Sequence, residues 1–176
     1  GTYNLPEAQL DRFLMYIKID QPDADTERKI LKLVRTEQRE TKEQDPAWQE
    51  FSKTVGKIAV EDILTARREV LSMHVSESLE EYLVQLIVAT RKPEEYDASL
   101  RDKILFGASP RATIALDKCA KINAWLDGRD FVTPEDIHAV IYDVLRHRIG
   151  LSYEAEANNL TSEDIISEIL NTVEVP

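Results

Sequence analysis

The chain has 176 residues, of which 43% are hydrophobic, enough for one core or two small packed units. It has no apolar run of the roughly 18 residues a membrane-spanning helix needs and no signal-peptide pattern at its start. Its formal net charge of −11 opposes binding to a phosphate backbone, so nucleic acid is not an expected partner and neither is a membrane. The chain opens Gly-Thr-Tyr without Met, as a processed product or a piece of a longer protein would. Cys119 is the single cysteine and lies in an apolar helical stretch. It reads as a buried structural thiol, and the absence of a disulfide framework suits a reducing cytoplasm.

In chain order, Pro6 can start a short helix that Arg12 would end. Residues 13–19, FLMYIKI, then form a nearly unbroken apolar run with β-branched content. Such a run predicts a strand buried on both faces of a parallel sheet. Its only candidate partners are Met73–Val75 and Ile149–Tyr153, both weak, so the strand looks orphaned. A polar helix is expected from Ala24 to Gln38, with Ile30, Leu31 and Val34 on one face. The stretch RETKEQDPAW, Arg39 to Trp48, has no apolar period and reads as a linker, with Trp48 and Phe51 as local anchors.

Four amphipathic helices follow. Their stripes are Val60, Ile63, Leu64, Val70 and Leu71; then Leu79, Tyr82, Leu83, Leu86, Ile87 and Thr90. The third is Ala112, Ala115, Leu116, Cys119, Ala120, Asn123 and Leu126, and the fourth Ile137, Val140, Ile141, Val144 and Leu145. A last helix at 162–171 should bury Ile165, Ile166, Ile169 and Leu170. Short connections between such helices predict a small bundle. FVTPED and LTSED supply capping boxes, with Thr133 and Asp136 in one and Thr161 and Asp164 in the other. Gly128 in LDGRD reads as a left-handed terminator.

The segment GASPRATIAL, residues 107–116, departs from this pattern. Ser109 caps, Pro110 opens the helix, and Arg111 places a cation in the first turn, at a cost of roughly 0.3–1 kcal/mol on a surface. Either Arg111 is solvated or paired with a carboxylate, or the free N–H groups and the guanidinium converge on a phosphate. Arg12 has the simpler explanation of a cation at a helix C-terminus. His74, His138 and His147 lack metal spacing. The pairs Glu80–Glu81 and Glu94–Glu95 read as solvated faces, and Arg146 and Arg148 as helix-end cations. No GxxxxGK(S/T) loop, GxGxxG loop or nucleophile–histidine signature occurs.

Taken together, the opening GTYNLPEAQLDRFLMYIKIDQPD, then GASPRA, then FVTPEDIHAVIYDVLRHRI resemble the C-terminal part of MoxR-type AAA+ ATPases, over nearly the whole chain and in the same order. Asn4 departs from the Pro usual there, and residues 39–57 match least. The resemblance implies a mainly α fold: a helical-bundle AAA+ lid preceded by a one-strand remnant of the α/β ATPase core. Its expected divisions are 1–22 as the end of the core, 23–57 as a connecting helix and linker, and 58–176 as the lid. It implies that Arg12 is an arginine finger acting on a neighbouring subunit's ATP. It implies that Arg111 is the sensor-2 arginine, with Ser109 and Pro110 beside it in the nucleotide-binding segment. An intact protein would use ATP and Mg2+ in a ring, hexameric by family habit, as a chaperone-like remodeller in the cytoplasm. Von Willebrand factor A-domain proteins or client complexes would be its partners. The Walker A and B motifs and sensor 1 precede this region in the family, so the chain alone is not expected to bind nucleotide tightly or hydrolyse ATP. The rival expectation is a free-standing helical protein-interaction adaptor, which leaves the apolar run and Arg111 unexplained.

Overall fold

A computed structural model describes residues 5–37 and 58–176. Asn4 and the linker with Trp48 and Phe51 lie outside the described residues. The chain divides into two compact units, residues 18–66 and residues 1–17 with 67–176.

Helix α1 (Glu7–Leu10) precedes the smaller unit, which contains helix α2 (Ala24–Glu37) and the first part of α3 (Val60–Leu71). Helix α1 itself belongs to the larger unit. Asp23 caps α2 by accepting the Thr26 N–H at 2.8 Å, and Asp25 and Glu27 occupy its positive end. The expected apolar faces are present on α2 and α3 but are not covered. Ile30, Leu31 and Val34 are exposed, as are Val60, Ile63, Leu64 and Leu71, and α3 buries no residue.

The larger unit holds the core. Helices α4 (Glu77–Arg91), α6 (Pro110–Leu126), α7 (Pro134–Leu145) and α9 (Ser162–Thr172) pack around it, with α6 against α7 the most extensive pairing. Short helices α5 (Ala98–Arg101) and α8 (Tyr153–Ala157) connect them. The α4 stripe from Leu79 to Thr90 is buried, as is the α7 stripe from Ile137 to Leu145. Each large apolar side chain so placed contributes about 1.5–3 kcal/mol. The α6 stripe runs as expected to Ala120 and then turns: Ala124 is buried, whereas Leu126 is exposed. In α9, Ile165, Ile166 and Ile169 are buried and Leu170 is half-buried.

The caps act as their sequences predict. Thr133 N–H donates to Asp136 Oδ2 at 2.8 Å, and Thr161 N–H to Asp164 Oδ2 at 2.8 Å. Gly128, at φ 75°, ends α6 in a Schellman turn. Its N–H reaches Trp125 O at 3.0 Å, and Arg129 N–H reaches Ala124 O at 3.0 Å.

The β-structure differs from expectation. Strand β1 (Ile104–Phe106) pairs antiparallel with β2 (Gly150–Leu151), within the Ile149–Tyr153 candidate. Met73–Val75 contributes only a parallel bridge from His74 to Phe131. Residues 13–19 form no strand. A strand needs a neighbouring backbone edge, and among the described residues this segment has none. The carbonyls of Phe13, Leu14 and Tyr16 accept from arginine and histidine side chains, and Phe13, Leu14, Tyr16, Ile17 and Ile19 remain exposed.

Candidate functional site

The first turn of α6 is placed by the residues before it. Gly107 lies against the end of α4 so closely that a Cβ would overlap the Thr90 carbonyl and come within 2.8 Å of Arg91 N. Ala108 is buried; its N–H donates to Thr90 Oγ1 at 2.9 Å and its carbonyl accepts from Arg91 Nε at 2.5 Å. Ser109 Oγ accepts the Arg111 N–H at 3.1 Å, and Pro110 opens the helix. Gly-Ala-Ser is thus a fixed platform that sets where Arg111 leaves the helix.

Arg111 faces Asp11. Its Nη1 lies 3.3 Å from Asp11 Oδ2, and the same oxygen accepts the Ser109 hydroxyl at 2.8 Å. The positive end of α6, a hydroxyl and a guanidinium therefore already converge on an anion, here a carboxylate of the same chain. The local expectation of a carboxylate partner for Arg111 holds. The guanidinium is nonetheless half open, with its side chain 54% exposed.

Asp11 is held from the other side by Arg148, which sequence reasoning took for a helix-end cation. Arg148 is 4% exposed, and all five of its N–H donors find acceptors. Nε reaches Asp11 Oδ1 at 3.1 Å. Nη1 donates to Leu14 O at 3.2 Å and to Val144 O; Nη2 donates to Asp11 O at 3.2 Å and Phe13 O at 2.5 Å. Its neighbours extend the clasp. Arg146 Nη1 reaches Tyr16 O at 2.6 Å, and His147 Nε2 donates to Phe13 O at 3.2 Å. Tyr16 N–H returns a bond to Asp143 O at 2.8 Å, and the Tyr16 ring stacks on His147. Arg-His-Arg at the end of α7 fastens the backbone from Asp11 to Tyr16.

Arg12 sits in this fastened turn, just past α1, with its N–H on Gln9 O at 3.2 Å. Its side chain is exposed and has no hydrogen bond or ion pair among the described residues. A cleft of about 230 Å³ beside the site is lined by Glu7, Asp11, Gly107, Ser109, His147 and Arg148, among others.

The electrostatics follow from these contacts. Burial works against the Asp11 carboxylate, but the hydrogen bonds from Ser109, Arg111 and Arg148 outweigh it and hold its pKa below the ordinary value. Burial lowers the pKa of His147, opposed by its bond to Phe13 and reinforced by the Arg148 charge. Burial raises the Cys119 thiol, as expected of a structural cysteine.

A second polar cluster lies where α6 passes into α7. Asp136, 1% exposed, binds Arg129 through Nη1 at 2.7 Å and Nη2 at 2.6 Å, and accepts from Asn123 Nδ2 at 2.8 Å. Burial opposes its charge, yet the Arg129, Asn123 and Thr133 bonds hold the carboxyl far below its usual range. Among the histidines, His138 Nε2 meets Tyr82 Oη at 2.7 Å, and His74 is exposed. Among the described residues, no group of three or more His, Cys, Asp or Glu side chains could hold a metal ion.

A helical core whose α6 presents an arginine at a capped N-terminus is accompanied by a direct family match: residues 98–169 match the AAA lid domain. Over 177 residues the chain is 35% identical to Chaperone MoxR1 of Mycobacterium tuberculosis, covering 100% of this chain and 44% of that protein. It is 34% identical over 185 residues to Protein MoxR of Methylorubrum extorquens, covering 99% of this chain and 51% of that protein. A crystal structure of a candidate ATPase from Cytophaga hutchinsonii superposes with a TM-score of 0.85 at 41% identity, covering 100% of this chain and 50% of that one. An AAA lid thus occupies residues 98–169, and over its whole length the chain matches the lid-bearing C-terminal portion of MoxR-type AAA+ ATPases. It spans about half the length of the curated relatives it matches.

Proposed function

We propose that the intact protein is an ATPase that hydrolyses MgATP in a ring and acts as a chaperone-like remodeller of protein complexes. Arg111 contacts the γ-phosphate as the sensor-2 residue, with Ser109 and Pro110 forming the helix start beside it. Arg12 is the arginine finger and reaches nucleotide held by a neighbouring subunit. The observation that carries this reading is the Asp11 carboxylate on Arg111 and Ser109 at the α6 N-terminus. A site that already gathers donors around one anion suits a phosphate oxygen, which draws stronger charge-assisted bonds. Arg12, exposed and unpaired among the described residues, sits in a fastened turn and is available to a group outside this chain. Positioned cations of this kind stabilise charge spread over the γ-oxygens in phosphoryl transfer.

On this reading residues 1–22 close the ATPase core, 23–57 connect, and 58–176 form the lid. The ring is hexameric, the setting cytoplasmic, and von Willebrand factor A-domain proteins or client complexes are the partners. Nucleic acid and membrane are not partners.

The test is ATP turnover by the intact protein. Arg111→Ala and Arg12→Ala each lower turnover by about 10²-fold or more, and wild-type neighbours in mixed rings rescue the finger variant. Unchanged turnover in both variants overturns the assignment. The 176-residue chain alone shows no Mg-dependent turnover; measurable hydrolysis by it contradicts the proposed division of labour.

A further inference from the structure

We propose that Asp11 is a positioning residue for Arg111, with one carboxylate oxygen on Arg111 and Ser109 and the other locked by Arg148. The proposal rests on the nucleotide-binding reading of Arg111 and adds the carboxylate that holds it in place.

Asp11 is gripped from two sides, the end of α7 and the start of α6. Its contacts are unequal. Arg148 grips both the side chain and the backbone of Asp11 and is itself buried, with every donor engaged. Ser109 donates at 2.8 Å. Arg111 makes a single contact at 3.3 Å through one nitrogen of a half-exposed guanidinium. The Arg111 contact is therefore the one a multiply charged phosphate displaces most readily, while Arg148 keeps the turn docked on the end of α7. Asp11 holds Arg111 in reach of the site before phosphate arrives and yields it to the phosphate afterwards.

Two experiments test the link. In the intact protein, Asp11→Asn keeps the side-chain size and removes the charge. It lowers kcat, expressed per folded protein measured by circular dichroism, about tenfold with KM for ATP changed less than about twofold. Added to Arg111→Ala, it lowers kcat by no more than about twofold further, because the two residues act as a unit. Full additivity overturns the coupling, whereas an Arg111→Ala variant with normal turnover overturns the nucleotide reading beneath it. The second experiment needs no nucleotide and no change at Asp11. Carboxyl 13C NMR of the 176-residue chain follows the Asp11 titration in wild type, Arg111→Ala and Arg12→Ala. The midpoint rises in Arg111→Ala and stays in place in Arg12→Ala; an Asp11 midpoint indifferent to Arg111 overturns the proposal even if Asp11→Asn does not fold.

Discussion

Gly107→Ala tests how the site is held in place. The added Cβ meets backbone, not a flexible side-chain tip: it overlaps the Thr90 carbonyl and lies 2.8 Å from Arg91 N. The end of α4 or the Gly-Ala-Ser platform must move. Overpacking of this kind costs about 1–3 kcal/mol. Movement also strains the buried bond from Ala108 N–H to Thr90 Oγ1, and leaving that group unpaired costs about 1–3 kcal/mol more. The combined loss of about 2–6 kcal/mol lowers the melting temperature by roughly 5–20 °C for a unit of this size. Gly128→Ala is the matched control. It has open space around its Cβ but a φ of 75°, so its cost is conformational and about 1–2 kcal/mol. Thermal unfolding by circular dichroism compares the two. A Gly107→Ala variant that melts with, or above, Gly128→Ala refutes the close packing that positions Arg111.

Leu116, fully buried on α6, loses about 2–5 kcal/mol on change to Ala, measured by urea unfolding. The depressed Asp136 carboxyl contributes stability that is present above its unfolded value near pH 4 and is lost as pH falls towards its lower folded value. Asp136→Asn is therefore less stable at neutral pH and shows a flatter decline on acidification, read as unfolding midpoint against pH. His147 also has a folded pKa below its unfolded value, so its contribution is full above about pH 6.5 and falls as acid protonates the unfolded state first. His147→Gln removes that slope below about pH 6.5. The Cys119 thiol reacts with an aromatic disulfide reagent only after denaturation, because it is 4% exposed and its pKa is raised.

The helical part of the fold was legible because its signals are local. Stripes such as Leu79 to Thr90 and caps such as Thr161 with Asp164 are written within a few residues of one another. What failed depended on distant partners. The apolar run 13–19 has the composition of a buried strand, but pairing requires an edge that the described residues do not offer. Strand β1 escaped notice because three residues form it only by meeting β2 far along the chain. The site shows the same division. Arg111 stood out through helix-dipole chemistry, and Arg12 through resemblance. Arg148 looked like an ordinary helix-end cation, although its bonds to Asp11, Phe13 and Leu14 span more than 130 residues. The available signal was its place immediately before the buried Ile149, where a solvated arginine is unexpected. Asp136 was read as a cap, which it is, but its bidentate bond to Arg129 appears only when the Gly128 turn brings the two together.

The central claim is that the N-terminal end of α6 exchanges a carboxylate for a phosphate. Its most direct test is a structure of the intact protein with Mg2+ and a hydrolysis-resistant ATP analogue. The account predicts the Arg111 guanidinium within about 3 Å of a γ-phosphate oxygen, with Arg148 still bound to Asp11. An Arg111 that remains on Asp11 alone, with the nucleotide phosphates bound and out of its reach, contradicts it.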